Sequence, residues 1–220
     1  MSPVRPDRLV VVVGTGTEVG KTWVAAAALS RLRADGHTVA ARKPAQSFLA
    51  TDTTTDADVL AAATGEAPTT VCPEHRWYPV ALAPPMAAEV LGRPAFTLTD
   101  LYDETTWPEG VELGLVETAG GVRSPQAGDD GDAVGLTAAL MPDTVVLVAD
   151  AGLGTLNAVR LCVTALDPVL DTRDDTRLAV VLNRYDEGDD LHRRNRAWLA
   201  DHDGIAAVTT IDDLVARLAP

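Results

Sequence analysis

Residues 14–22 read GTGTEVGKT, directly after the apolar run Leu9 to Val13 and directly before an Ala-rich stretch. A buried strand, a Gly-rich turn closing on Gly-Lys-Thr and a helix form the layout of a phosphate-binding loop. Backbone N–H groups of such a loop and of the helix start point at phosphates. Lys21 adds positive charge near the β- and γ-phosphates, and the Thr22 hydroxyl is placed to hold magnesium. The common pattern has a glycine five residues before the Gly-Lys pair. Here that residue is Thr15, flanked by Gly14 and Gly16, so the loop reads one residue longer.

Other polar residues fall where strands are expected to end. Lys43-Pro44 follows the second strand, Glu117 and then Ala119-Gly120-Gly121 the third, Asp150 and Gly152 the fourth, and Asn183-Arg184 the fifth. Open parallel sheets bind ligands beyond their carboxyl ends, so these residues and the loop are expected to converge. Thr22 and Glu117 suit a shared magnesium ion. Asp56 is a third candidate ligand or else a plain helix cap, with Asp58 as the fallback. Lys43 is either a solvated strand-end charge or a second cation facing a transferring phosphoryl group. Ser47 reads as a turn residue or a substrate contact. Asn183 reads as a cap or as an amide matching the donor–acceptor edge of adenine.

These positions require an α/β frame. Strands are expected at residues 9–13, 38–43, 113–117, 144–149 and 177–182, with a short one near 205–208. Helices are expected at 21–35, 56–64, 85–91, 98–105, 155–166, 189–201 and 211–218. The remainder of the proline-rich segment 68–94 reads as loop, and the acidic stretch 126–135 as an exposed loop. Strands alternating with helices predict a parallel sheet covered by helices on both faces, and 220 residues suit one domain, 1–220.

The net charge of −14 disfavours nucleic acid and anionic membranes as partners. Any phosphate site must therefore be local, built from backbone dipoles and a few lysines. Two cysteines without metal spacing, no apolar run long enough to span a bilayer, and a polar N-terminus predict a cytoplasmic protein.

Taken together, the motifs resemble those of the ATP-dependent dethiobiotin synthetases, P-loop NTPase-type proteins whose loop reads TGTxTxVGKT. Lys43, Pro44 and Ser47 match that family's Lys-Pro-x-x-Ser/Thr, DADVLAAATG its Asp-led helix, and Glu117 to Gly121 its Glu-Gly-Ala-Gly-Gly. LAPPMAAE at residues 82–89, Leu153-Gly154-x-x-Asn157 and Asn183 match in the same order, from about residue 10 to 184.

The resemblance implies the substrates 7,8-diaminopelargonate (7,8-diaminononanoate), CO2 or bicarbonate, and ATP with Mg2+. It implies Lys43 and Lys21 as catalytic, and Thr22, Asp56 and Glu117 as metal ligands. Nucleotide contacts would come from Glu18, Val19, Gly20, Lys21, Thr22, Trp23, Asp56, Glu117, Thr118, Ala119, Gly120, Asn183 and Arg184. Substrate contacts would come from Lys43, Ser47, Leu153, Gly154, Thr155 and Asn157, the last four at a homodimer interface.

Three positions depart from the pattern. Thr118 replaces a glycine and is expected to restrict the backbone beside the nucleotide. Phe48 replaces a glycine and is expected to reshape the substrate pocket. AVTTIDDL at 207–214 lacks the family's proline-containing purine contact. The rival readings are a partitioning-type nucleotide-switch ATPase and a related ligase with a different acid substrate. Such switches carry an early lysine in the loop, and no lysine lies between Arg8 and Lys21.

Overall fold

The computed structural model describes residues 4–171 and 176–220, so the first three residues of the opening segment MSPVRPDR lie outside it. Five strands form one parallel sheet: β1 (Arg8–Gly14), β2 (Val39–Arg42), β5 (Leu113–Glu117), β6 (Thr144–Asp150) and β7 (Arg177–Asn183). Their order is β2-β5-β1-β6-β7. β1 therefore lies at the centre, between β5 and β6. Its residues Leu9 to Gly14 are all buried, which is why the stretch reads as an unbroken apolar run rather than an alternating one.

Side chains alternate along β1 between two separate cores. Leu9, Val11 and Val13 pack on one face with Leu136, Leu140, Val159 and Leu166. Val10 and Val12 pack on the other with Val24, Leu29, Leu60 and Leu214. The second face is covered by α1 (Lys21–Ala34), α2 (Asp56–Thr64) and α9 (Ile211–Leu218). Helix α1 buries Val24, Ala25, Ala28, Leu29 and Leu32, the spacing of one helical face. The first face takes α6 (Ala133–Leu140), α7 (Thr155–Leu170) and part of α8 (Asp190–Asp203).

Four expectations change. Residues 126–135 are not an exposed loop: Gln126 and Ala127 are buried, and α6 begins at Ala133. Asp132 caps α6 by accepting from Gly135 N–H, and packing of Leu136 and Leu140 stabilises a helix that its acidic, glycine-containing start conceals. The segment 68–94 holds more than α4 (Pro84–Val90). It also contains α3 (Pro68–Val71) and strand β4 (Trp77–Tyr78), which pairs in parallel with β3 (Gln46–Ser47). The strand near 205–208 is a single bridge between Val181 and Val208. Helix α7 runs on to Leu170, with Pro168 inside its last turn. The helix expected at 98–105 is α5 (Leu98–Glu104), capped by Thr97.

Candidate phosphate and metal site

The loop after β1 leads into α1 through Gly20, whose φ of +91° is a left-handed conformation that suits glycine. The first turn of α1 then presents Lys21 and Thr22. Thr22 Oγ1 lies 2.9 Å from Asp56 Oδ1 and 2.9 Å from Glu117 Oε1. Lys43, just beyond β2, donates from Nζ to Glu117 Oε1 at 2.7 Å and pairs with Asp56 Oδ2 at 2.8 Å. Four elements thus bring a hydroxyl, two carboxylates and an ammonium to one point.

Asp56 reaches this point because it is spared the capping role. Thr55 caps α2, accepting from Asp58 N–H, while the Asp58 carboxylate accepts from Thr55 N–H and hydroxyl. That reciprocal box occupies Asp58 and turns Asp56 inward. Gln46 accepts from Ala57 N–H at 3.0 Å and fixes the same turn from the opposite side.

Burial pushes the Lys43 ammonium down, but the adjacent Glu117 and Asp56 carboxylates outweigh it and hold Lys43 well above the usual lysine range. Burial would raise Asp56, and the Lys43 ion pair holds it below the usual carboxylate range. Glu117, buried more deeply, is raised by desolvation despite Lys43. Burial, reinforced by the nearby Lys43 charge, lowers Lys21 to about 8.

The donor set suits a hard divalent cation. All the donors converging on Thr22 are oxygens, and Glu117 Oε2 is buried without a hydrogen-bond partner. An orphaned carboxylate oxygen is costly unless something positive meets it. Thr22, Asp56 and Glu117 are thus the residues that could hold magnesium.

Above the cluster opens a cavity of about 620 Å³, whose lining includes Lys21, Lys43, Ser47 and Gly120. A second cavity of about 610 Å³ adjoins it, sharing Gly20 and Arg184 and bounded by Trp23, Asn183 and Thr209 to Ile211. The two meet at Gly20 and Arg184, the first lined by charged and polar side chains and the second walled by Val24, Val181 and Leu182.

The remaining sequence candidates divide. Glu18, Ala119 and Gly120 line the first cavity, and Trp23 and Asn183 the second. Val19 accepts from Asn183 Nδ2 at 2.9 Å. Ser47 Oγ is buried, unpartnered and on the cavity wall. Leu153, Gly154, Thr155 and Asn157 line neither cavity; Leu153 is 93% exposed at the start of α7.

Thr118 does not distort the turn. Its backbone is not left-handed, and its hydroxyl donates to Val12 O at 3.3 Å inside the core. Phe48 does not enter the first cavity; its ring packs edge-on against Trp77 at 6.3 Å. Sequence reasoning missed Gln126, which clamps Ala119 by accepting from its N–H and donating to its carbonyl. It also missed Ser124, Pro125 and Ala81, and it matched LAPPMAAE at 82–89 to the family without giving Leu82, Ala83 and Pro84 a place on the cavity wall. Gln126 and the residues beside it lay in or next to the segment that reads as exposed loop, so only their folded position identifies them.

A family model described as an AAA domain matches residues 8–218. The ATP-dependent dethiobiotin synthetase of Streptomyces avermitilis is 40% identical over 90% of this chain and 79% of its own length. That of Streptomyces coelicolor is 35% identical over 96% of this chain and 87% of its own, and that of Haloferax mediterranei 36% over 90% and 81%. Among solved structures, chloroplast FtsY from Physcomitrella patens aligns over the whole chain and 67% of its own, at 17% identity and a TM-score of 0.55. Cobyrinic acid a,c-diamide synthase from Mycobacterium smegmatis, solved with an ATP analog and magnesium, aligns over 89% of this chain and 82% of its own, at 16% identity and a TM-score of 0.53. These two likenesses speak to the fold, a P-loop NTPase-type sheet. With the relatives matching at this level over most of its length, the chain belongs to the ATP-dependent dethiobiotin synthetase family.

Proposed function

We propose that this protein is an ATP-dependent cyclo-ligase of biotin biosynthesis that closes the ureido ring of dethiobiotin from 7,8-diaminopelargonate and CO2. The observation that carries the reading is Lys43 bridging Asp56 and Glu117 beside Thr22, at the mouth of a phosphate loop. Family membership supports the substrate assignment.

One substrate amine adds to CO2 and loses a proton, giving a carbamate. A carbamate oxygen attacks the γ-phosphorus, and ADP leaves. The second amine then attacks the carbamoyl carbon, phosphate departs, and the cyclic urea remains. Lys43 is held protonated by its two carboxylates, so it contributes charge and orientation rather than taking up a proton. Lys21 contributes a second cation to the phosphate end of the cavity. Lys43 in the cluster and Lys21 nearby together only offset the charge of the two carboxylates, so an incoming polyphosphate needs further positive charge. Magnesium held by Thr22, Asp56 and Glu117 would supply it as a Lewis acid. The unpartnered Ser47 hydroxyl is suited to orient the carbamate.

The start of α7 exposes Leu153, Gly154 and Asn157 away from these cavities, and the Gly154 N–H at this helix start is suited to the substrate carboxylate of a second copy in a homodimer. The test is ADP release with and without diaminopelargonate and bicarbonate, with mass detection of dethiobiotin. Turnover should require both and match dethiobiotin mole for mole; hydrolysis indifferent to both would sink the assignment.

A further inference from the structure

The end of β7 touches the phosphate loop on its carbonyl side. Asn183 Nδ2 donates to Val19 O at 2.9 Å, and Arg184 Nη2 donates to Glu18 O at 3.0 Å. Two adjacent residues thus hold two adjacent loop carbonyls. The contact leaves no room for a side chain: a Cβ on Gly20, whose φ of +91° already favours glycine, would fall 2.1 Å from Asn183 Nδ2 and displace that amide. Arg184 is itself anchored, pairing with Asp150 Oδ2 at 3.1 Å, while Asp150 Oδ1 accepts from Gly152 N–H.

Both Glu18, at φ 61°, and Arg184, at φ 57°, are non-glycine residues in the left-handed region. Such backbones persist where surrounding contacts over-determine them. Two other loop carbonyls are also taken, Gly16 O by Lys21 Nζ at 2.9 Å and Gly20 O by Val24 N at 3.0 Å. By contrast, the N–H groups of Gly16 to Gly20 donate to no protein acceptor among the described residues. A loop whose carbonyls are tied and whose amides are open is set to receive an anion.

We propose that Asn183 and Arg184 form a latch that positions the phosphate loop, so that Asn183 governs affinity for the polyphosphate chain itself and not only for the base. The latch rests on the phosphate-loop reading above but not on the identity of the acid substrate. Asn183 and Arg184 are positioning residues here, acting through Val19 and Glu18.

Calorimetric titration with inorganic tripolyphosphate, which has no base, and with ATP, each with magnesium, separates the roles. Asn183→Ala should weaken tripolyphosphate about tenfold, and ATP by at least as much. ATP weakened with tripolyphosphate unchanged would make Asn183 a base contact alone and overturn the latch. Arg184→Lys keeps the charge but lacks the fork that reaches Glu18 O and Asp150 together. It should also lose tripolyphosphate affinity several-fold, and it carries the test if Asn183→Ala does not fold. Full tripolyphosphate affinity in Arg184→Lys overturns the latch as well. A wild-type protein that binds neither ligand would overturn the latch and the phosphate-loop reading together. Latched tripolyphosphate binding without dethiobiotin formation would leave the latch standing and remove the substrate assignment.

Discussion

The Lys43–Asp56–Glu117 cluster and the first turn of α7 differ in how much of each is finished within one chain. In the cluster, every charged group meets an opposite charge within 2.8 Å, and Lys43 and Glu117 are almost wholly buried. Desolvated charges at such distances fix each other's positions, so the site is organised before any ligand arrives. At the start of α7 the reverse holds. Gly154 turns the backbone with a φ of +92°, the Thr155 hydroxyl is buried without a partner, and Leu153 and Asn157 face outward. One region has its charges paired within the chain and leaves only the Glu117 Oε2 position for a cation; the other has exposed groups and a buried hydroxyl that no charged neighbour fixes. Phosphoryl chemistry is thus expected to survive changes that abolish acid-substrate recognition.

The largest break comes from Lys43→Ala. It strands the buried Glu117 carboxylate, leaves the part-exposed Asp56 without its ion pair, and removes charge facing the transferring phosphoryl group. Dethiobiotin formation should fall by about a thousandfold, measured by mass detection at saturating substrates. Activity within tenfold of wild type would remove Lys43 from the chemistry.

Glu117→Gln comes next. Loss of the carboxylate with the orphaned Oε2 should raise the magnesium needed for half-maximal turnover by at least about tenfold, and overlapping metal titrations would refute the ligand assignment. Asn157→Ala probes the other region. It should raise the KM for diaminopelargonate several-fold while kcat and the melting temperature hold; an unchanged KM would separate the start of α7 from the substrate.

A smaller effect follows from Lys21. Its folded-state value is lowered to about 8, so the free protein holds this proton below about pH 8 and releases it above. The unfolded chain keeps it to higher pH, so this group's contribution to stability rises as pH climbs through that window. Nucleotide binding should do the opposite. Phosphate favours the charged form, so ATP affinity should decline above pH 8 with uptake of a proton, read by calorimetry in buffers of different ionisation heat. The smallest effect tests the division of labour in α2. Asp58→Ala should cost about 1 kcal/mol of stability by opening the capping box and leave the magnesium titration unchanged, and a shifted titration would restore Asp58 as a ligand.

Much of this was legible in residue order alone. The apolar run of β1 with GTGTEVGKT after it, the helix face of α1 and the polar strand ends carry local signals, because strand burial, helix periodicity and loop glycines each act over a few residues. Residues 126–135 carried a misleading signal. Their glycines and acidic residues suggest a loop, whereas Asp132 serves as a cap and Leu136 and Leu140 bury against residues distant in sequence.

The sequence by itself determined that a phosphate loop precedes a helix in an α/β frame, and which side chains end each strand. Only the tertiary structure set Asp56 against Thr22 and Asp58 in the cap, moved Phe48 aside onto Trp77, gave Thr118 a partner on β1, and turned Asn183 toward Val19. Each of those outcomes depends on a partner tens of residues away or on a cap that frees a neighbour. Spacing along a chain specifies which groups can face one way, and packing specifies what they meet.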